Sequence, residues 1–147
     1  MTDVGTLDDS TLTKFSHVRP GDTGWNTGGL RDFFMYRDLG VAAATHGRVL
    51  AQLVRANLAP PSTGTGWHRH DAEFHIVIML KGWARFMYND KLTLVKTGDC
   101  VHQRPGIVHD LFDYSPDMEF LEIIGPADYK TIEVPGPCPA PPPTPWT

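Results

Sequence analysis

The chain has 147 residues, 41% hydrophobic and 20% charged, the composition of one ordinary globular domain rather than two. Its net charge of −4 leaves no basic excess to neutralise phosphates, which argues against nucleic acid as a partner. No apolar run approaches the ~18 residues needed to span a bilayer, Met1–Gly5 lacks the basic and apolar regions of a signal peptide, and Cys100 and Cys138 are too few for a disulfide framework, so a cytoplasmic protein with reduced thiols and no membrane partner is expected.

Residues 1–30 are polar and broken by Pro20-Gly21 and Gly28-Gly29, the pattern of an extended N-terminal arm. The one helix candidate is the short Ala-rich stretch Val41–Thr45. Strands follow. Leu50–Ala56 is apolar with polar interruptions, and Phe74–Leu80 is a continuous apolar run containing one histidine, the pattern of a strand buried on both faces. After Gly82, Trp83–Tyr88 and Lys91–Val95 flank an Asn89-Asp90 turn as a hairpin. Cys100–Gln103, Val108–Phe112 and Met118–Ile124 complete the set. Many short strands with turns between them predict an all-β sandwich or barrel over residues 31–130. The remaining segment, 131–147, is a Pro-rich tail that is either loose or laid over a surface, with Trp146 as its anchor.

Seven histidines are the main chemical signal. His68 and His70 stand two apart, so on an extended strand both imidazoles point to one face, where they can meet one metal ion. His75 is the lone polar residue of an apolar run. Buried without a partner it would cost ~1–3 kcal/mol, so it must find a metal or a hydrogen bond. His109 follows the Pro105-Gly106 turn. His17, His46 and His102 show no partner pattern and are expected at the surface. Cys100 is expected to be a small buried hydrophobe.

The stretch Ser62–Gly82 (STGTGWHRHDAEFHIVIMLKG) resembles the first motif of the cupin superfamily: a glycine, five residues, H-x-H, three or four residues, glutamate, six residues, glycine. His68 and His70 match the pair and Gly82 the closing glycine. Gly98–Asp113 (GDCVHQRPGIVHDLFD) resembles the second motif, with Gly98, Gly106 and His109 in register. Four positions depart from the pattern: Ser62 for the first glycine, His75 for the glutamate, Arg104 for a common proline, and Asp113 for an asparagine. Glu73 is a weaker substitute for the missing carboxylate, because only His75 keeps the spacing to Gly82.

The resemblance implies a single-domain cupin jelly-roll (double-stranded β-helix) barrel. It also implies a divalent transition metal held by His68, His70, His75 and His109. Four neutral imidazoles would leave the ion its full charge, making it a strong Lewis acid that favours anionic ligands. All-nitrogen coordination suits Fe, Zn, Cu or Ni and disfavours Mg or Ca; the resemblance implies Fe(II) first, with Zn, Ni, Cu or Mn as alternatives. The activity this implies is a mononuclear non-haem Fe(II) dioxygenase cleaving a small enolisable or β-diketone-like compound. A non-oxidative metal-dependent isomerase, lyase or hydrolase and a small-molecule-binding cupin without catalysis stand beside it. Strand parity turns Gln103, Phe86 and Tyr88 inward and Trp83, Arg85 and Met87 outward. It sends one of Glu119 and Glu122 toward the cavity. Gln103, Arg104, Tyr88 and Glu122 are therefore candidates to surround the ligands, and the apolar outer face points to a homodimer.

Overall fold

The computed structural model describes residues 13–146. Ten strands and one short helix occur among them: β1 (Phe34–Asp38), α1 (Val41–Ala44), β2 (Leu50–Ala56), β3 (His68–Asp71), β4 (Phe74–Lys81), β5 (Trp83–Tyr88), β6 (Lys91–Lys96), β7 (Cys100–His102), β8 (His109–Tyr114), β9 (Glu119–Gly125) and β10 (Lys130–Glu133). They form two five-stranded antiparallel sheets, in the orders β1-β2-β9-β4-β7 and β10-β3-β8-β5-β6. Their inner faces enclose one interior, so the expected jelly-roll barrel is the architecture found.

The inner face follows the period-two pattern of side chains on a strand. On β4, His75, Val77 and Met79 are buried while their neighbours are only half-buried. The expected burial of β4 on both faces is therefore replaced by one buried face, and Leu80 at its end is exposed. On β5, Ala84, Phe86 and Tyr88 point into the core as parity predicts, but Met87 is also buried. β8 is buried along its whole length. Its cover comes from this chain. Gly64 lies so close to β8 that a Cβ there would fall 2.6 Å from Phe112 Cα, and its φ of +61° suits only glycine.

The Pro-rich tail lies on the same sheet. Thr144 Oγ1 donates to Asp113 Oδ2 at 2.8 Å, and Trp146 Nε1 donates to the Tyr114 carbonyl at 3.1 Å. The Trp146 indole also packs edge-on to Tyr114. The tail thus engages part of the outer face that parity turned toward a partner. Cys100 corrects an expectation: it is exposed, because β7 is a three-residue edge strand. His17, His46 and His102 are exposed as expected. Residues 1–12 of the arm, Met1–Gly5 among them, lie outside the described residues.

Candidate metal centre

Strand register assembles the site. His68 on β3 pairs directly with His109 on β8, and His70 follows two residues along on the same face. Ring centroids are 4.3 Å apart for His68–His109, 4.9 Å for His68–His70 and 5.0 Å for His70–His109. One nitrogen from each ring lies within 4.8 Å of the others, and all three residues are buried. The outward nitrogens are already engaged. His68 Nδ1 meets the Gly66 carbonyl at 2.7 Å and His109 Nδ1 the Ile107 carbonyl at 2.9 Å. A carbonyl only accepts, so both rings carry the proton on Nδ1 and keep the Nε2 lone pair free. Thr131, opposite His70 across the β10–β3 ladder, places its Oγ1 2.9 Å from His70 Nδ1.

Burial keeps these rings neutral. It lowers His68, takes His70 down to about 2 with help from His109 and His68, and takes His109 down to about 3 with help from His68. Three buried imidazoles with a nitrogen each within 4.8 Å of the others, two of them with the lone pair fixed on that side by a carbonyl, are a donor set that fits a divalent transition ion. The same shifts set an acid response. In the folded protein the rings resist protonation, whereas the unfolded chain takes up protons near 6.5, so this contribution to stability is present above 6.5 and is lost as pH falls. Thermal unfolding of the metal-free protein at stepped pH should show the melting temperature dropping between pH 6.5 and about pH 5. The loss is up to about 2 kcal/mol for each of His70 and His109.

His75 stands across the interior from these three. β3 and β4 are consecutive in sequence but belong to opposite sheets. The His75 ring lies 5.1 Å from that of His70, and both its nitrogens have protein partners. Its Nε2 is 2.6 Å from Glu122 Oε1, and its Nδ1 is 3.2 Å from Gln103 Nε2. The protons follow from the ends of the chain. The Tyr88 hydroxyl donates to Gln103 Oε1 at 2.7 Å, so the Gln103 amide N–H points at His75 Nδ1. His75 Nε2–H then donates to Glu122, whose other oxygen accepts from Gln52 Nε2 at 2.8 Å. Burial pushes the Glu122 carboxyl up, but the hydrogen bonds from His75 and Gln52 outweigh it and hold it below its usual value.

Register again places these groups. Gln52 pairs directly with Glu122 across β2–β9, Val77 pairs with Glu122 across β4–β9, and His75 is two residues from Val77. The Gln103 backbone N–H donates to the His75 carbonyl.

Of the sequence candidates, then, His68, His70 and His109 share one cluster, and Tyr88, Gln103, His75 and Glu122 share one hydrogen-bonded chain beside it. Arg104 is exposed and borders a small recess next to the histidines instead of the main cavity. The main cavity is small, about 60 Å³, room for a few waters or a ligand of a few heavy atoms. Arg31, Gln52, Tyr129 and Thr131 also surround the site. None stands in a motif: strand pairing reveals Gln52 and Thr131, and the cavity lining reveals Arg31 and Tyr129.

Residues 55–124 match the family model described as the cupin domain. An oxalate-binding protein of Thermotoga maritima is 33% identical over 75 residues, 50% of this chain, and the chain spans 62% of that relative's length. Among solved structures, a predicted oxalate decarboxylase from Thermotoga maritima superposes with a TM-score of 0.60 and 26% identity, over 75% of this chain and 98% of that one. The polyketide cyclase RemF from Streptomyces resistomycificus shares the fold, with a TM-score of 0.60 at 16% identity over 82% of this chain and 85% of its own. No helix among the described residues is long and apolar enough to cross a membrane.

Proposed function

The chain belongs to the cupin superfamily, and from that footing we propose that it is a metal-dependent enzyme that deprotonates a small enolisable carbonyl or carboxylate compound. The observation that carries this reading is the buried His75–Glu122 pair, 2.6 Å across, facing the three-histidine cluster in one cavity. His68, His70 and His109 would hold the metal. A divalent ion bound there supplies Lewis acidity to the ligand's oxygens.

The chain's own groups handle the proton. Glu122 is ionised and can accept a proton from an acidic C–H of the ligand. His75 Nε2–H and Gln52 Nε2–H hold the carboxylate in place, and the Tyr88–Gln103 chain fixes the His75 tautomer. Returning the proton to a different atom gives isomerisation. Returning it after a carbon–carbon bond has broken gives a lyase. Val54, Val77, Phe86, Leu111 and Phe120 give the cavity apolar walls. The oxalate-binding relative supports a small oxygen-rich ligand.

Cleavage of the same enolised ligand by dioxygen, with Fe(II) at the histidines, is a second reading. The imidazole cluster, which accepts Fe as well as Zn, Cu or Ni, is compatible with it.

The test is proton exchange. Protein loaded separately with Fe(II), Mn(II), Co(II) or Zn(II) is incubated in D2O with 1,3-diketones and 2-oxo and 2-hydroxy acids, with and without oxygen. NMR should show metal-dependent deuterium incorporation at the acidic carbon without oxygen. Oxygen consumption only with Fe(II) would select the second reading. Stoichiometric metal with neither exchange nor turnover across the panel would overturn both readings and leave a binding protein.

A further inference from the structure

Arg31 lies three residues before β1, and it is used by neither the metal cluster nor the proton chain. It lines the same cavity as the histidines. Its side chain is 17% exposed, and its Nη2 is sealed from solvent with no hydrogen-bond partner. The carboxylate in reach is Glu133 Oε1, at 3.6 Å, beyond a hydrogen bond, on a side chain 65% exposed. A buried guanidinium N–H left without an acceptor is costly, so such a group is usually completed by a ligand or an ordered water.

Its position is fixed by the fold. The Arg31 backbone N–H donates to the Tyr36 hydroxyl at 2.9 Å, and its carbonyl accepts from Phe34 N–H. Asn26 exchanges backbone hydrogen bonds with Tyr36 at 2.9 Å each. Gly29 lies against the Tyr36 ring so closely that a side chain there would collide with it. Tyr36 therefore pins the end of the arm at the cavity mouth and holds Arg31 over it.

The charges in the cavity call for an anion. Arg31 contributes +1, Glu122 −1, and the three cluster imidazoles are neutral. A divalent ion would leave the cavity with a net +2. An arginine fork matches a carboxylate in shape as well as charge.

We propose that Arg31 is the anion clamp of this cavity and that the ligand is a small carboxylate, with its carboxylate on Arg31 and its remaining oxygens toward His68, His70 and His109. This deepens the enzymatic reading above and rests on the same cavity, but it assigns a residue and a charge that reading leaves open. The cavity volume suits a ligand of a few heavy atoms; malonate and pyruvate carry an acidic C–H, and oxalate, which has none, probes the clamp alone.

The test is calorimetric titration of oxalate, malonate and pyruvate, with the neutral diamide oxamide as control, into Mn(II)-loaded and metal-free full-length protein. Metal content is measured in parallel. Wild type should bind at least one of the acids and not oxamide. Arg31→Gln should keep its metal and bind that acid about 10- to 100-fold more weakly, and Arg31→Lys should recover part of the loss, because a point charge replaces the fork. Equal affinity in wild type and Arg31→Gln at equal metal content would overturn the clamp. So would a wild type that binds none of the acids with or without metal, or one that binds oxamide as well as oxalate. If Arg31→Gln does not fold, Arg31→Lys alone decides: affinity equal to wild type overturns the fork, and a drop supports it.

The two claims fail separately. Deuterium exchange on neutral diketones that survives in Arg31→Gln keeps the enzymatic reading when the clamp fails. Arg31-dependent acid binding without any exchange keeps the clamp when the enzymatic reading fails.

Discussion

His70→Ala should yield a folded barrel that no longer retains metal. His70 is the middle member of the cluster, with ring neighbours on both sides and Thr131 behind it. Loss of a group that merely orients a ligand typically weakens metal binding 10- to 100-fold, so loss of the ligand itself should cost at least about 100-fold. The fold should survive, because the core rests on the apolar inner faces of two sheets, not on the imidazoles. Elemental analysis and a competition titration with a chromophoric chelator read the affinity, and circular dichroism checks the fold. His70→Gln serves as a size-matched control and should lose metal as well. Retention of about one metal per chain at wild-type affinity in both variants would remove His70 from the ligand set.

The second large effect belongs to Glu122. Glu122→Gln keeps the volume and removes the charge and the basicity. A positioned acid–base group contributes about 10²- to 10⁴-fold to rate, so metal-dependent deuterium exchange should fall by at least about 100-fold while metal content stays at the wild-type level. That combination separates a proton-handling role from a metal-binding one. Glu122→Ala should also destabilise the protein, by about 1–3 kcal/mol, because it strips buried acceptors from His75 Nε2–H and Gln52 Nε2–H. Exchange at the wild-type rate in Glu122→Gln would show that another group takes the proton. The companion variant His75→Gln tests the partner. Unchanged metal content with lost exchange would place His75 in the proton chain, whereas lost metal would return it to the ligand set.

Much of this protein is legible along its chain. β2 and β5 have the bounds their alternation predicts, and β4, β6, β8 and β9 lie within two residues of theirs. Most carry enough inward apolar residues to show a period, while β6, with Leu92 and Leu94 exposed, is bounded by the Asn89-Asp90 turn before it. β1 and β10 are short edge strands: in FMYRD three apolar residues stand in a row and KTIE has one, so neither shows an alternation. Exposed Cys100 and buried Met87 went the other way, because an edge strand leaves small apolar residues uncovered while a neighbouring strand or segment can bury an outward one.

The histidine pair His68–His70 and the later His109 are a local pattern and a spaced one, so the sequence by itself determined the fold class and pointed to these three imidazoles as neighbours, though it grouped His75 with them. It could not determine which nitrogens remain free, because that depends on partners far away along the chain. His75 and Glu122 are 47 residues apart, His70 and Thr131 are 61 apart, and Gln52 and Glu122 are 70 apart. Only the register of two closed sheets brings these groups within hydrogen-bonding distance. That register sends His75, five residues after His70, to the opposite wall, where Glu122 and Gln103 occupy both its nitrogens. It also sets Arg31 beside the cavity with its Nη2 lacking a hydrogen-bond partner, 3.6 Å from the exposed Glu133 carboxylate.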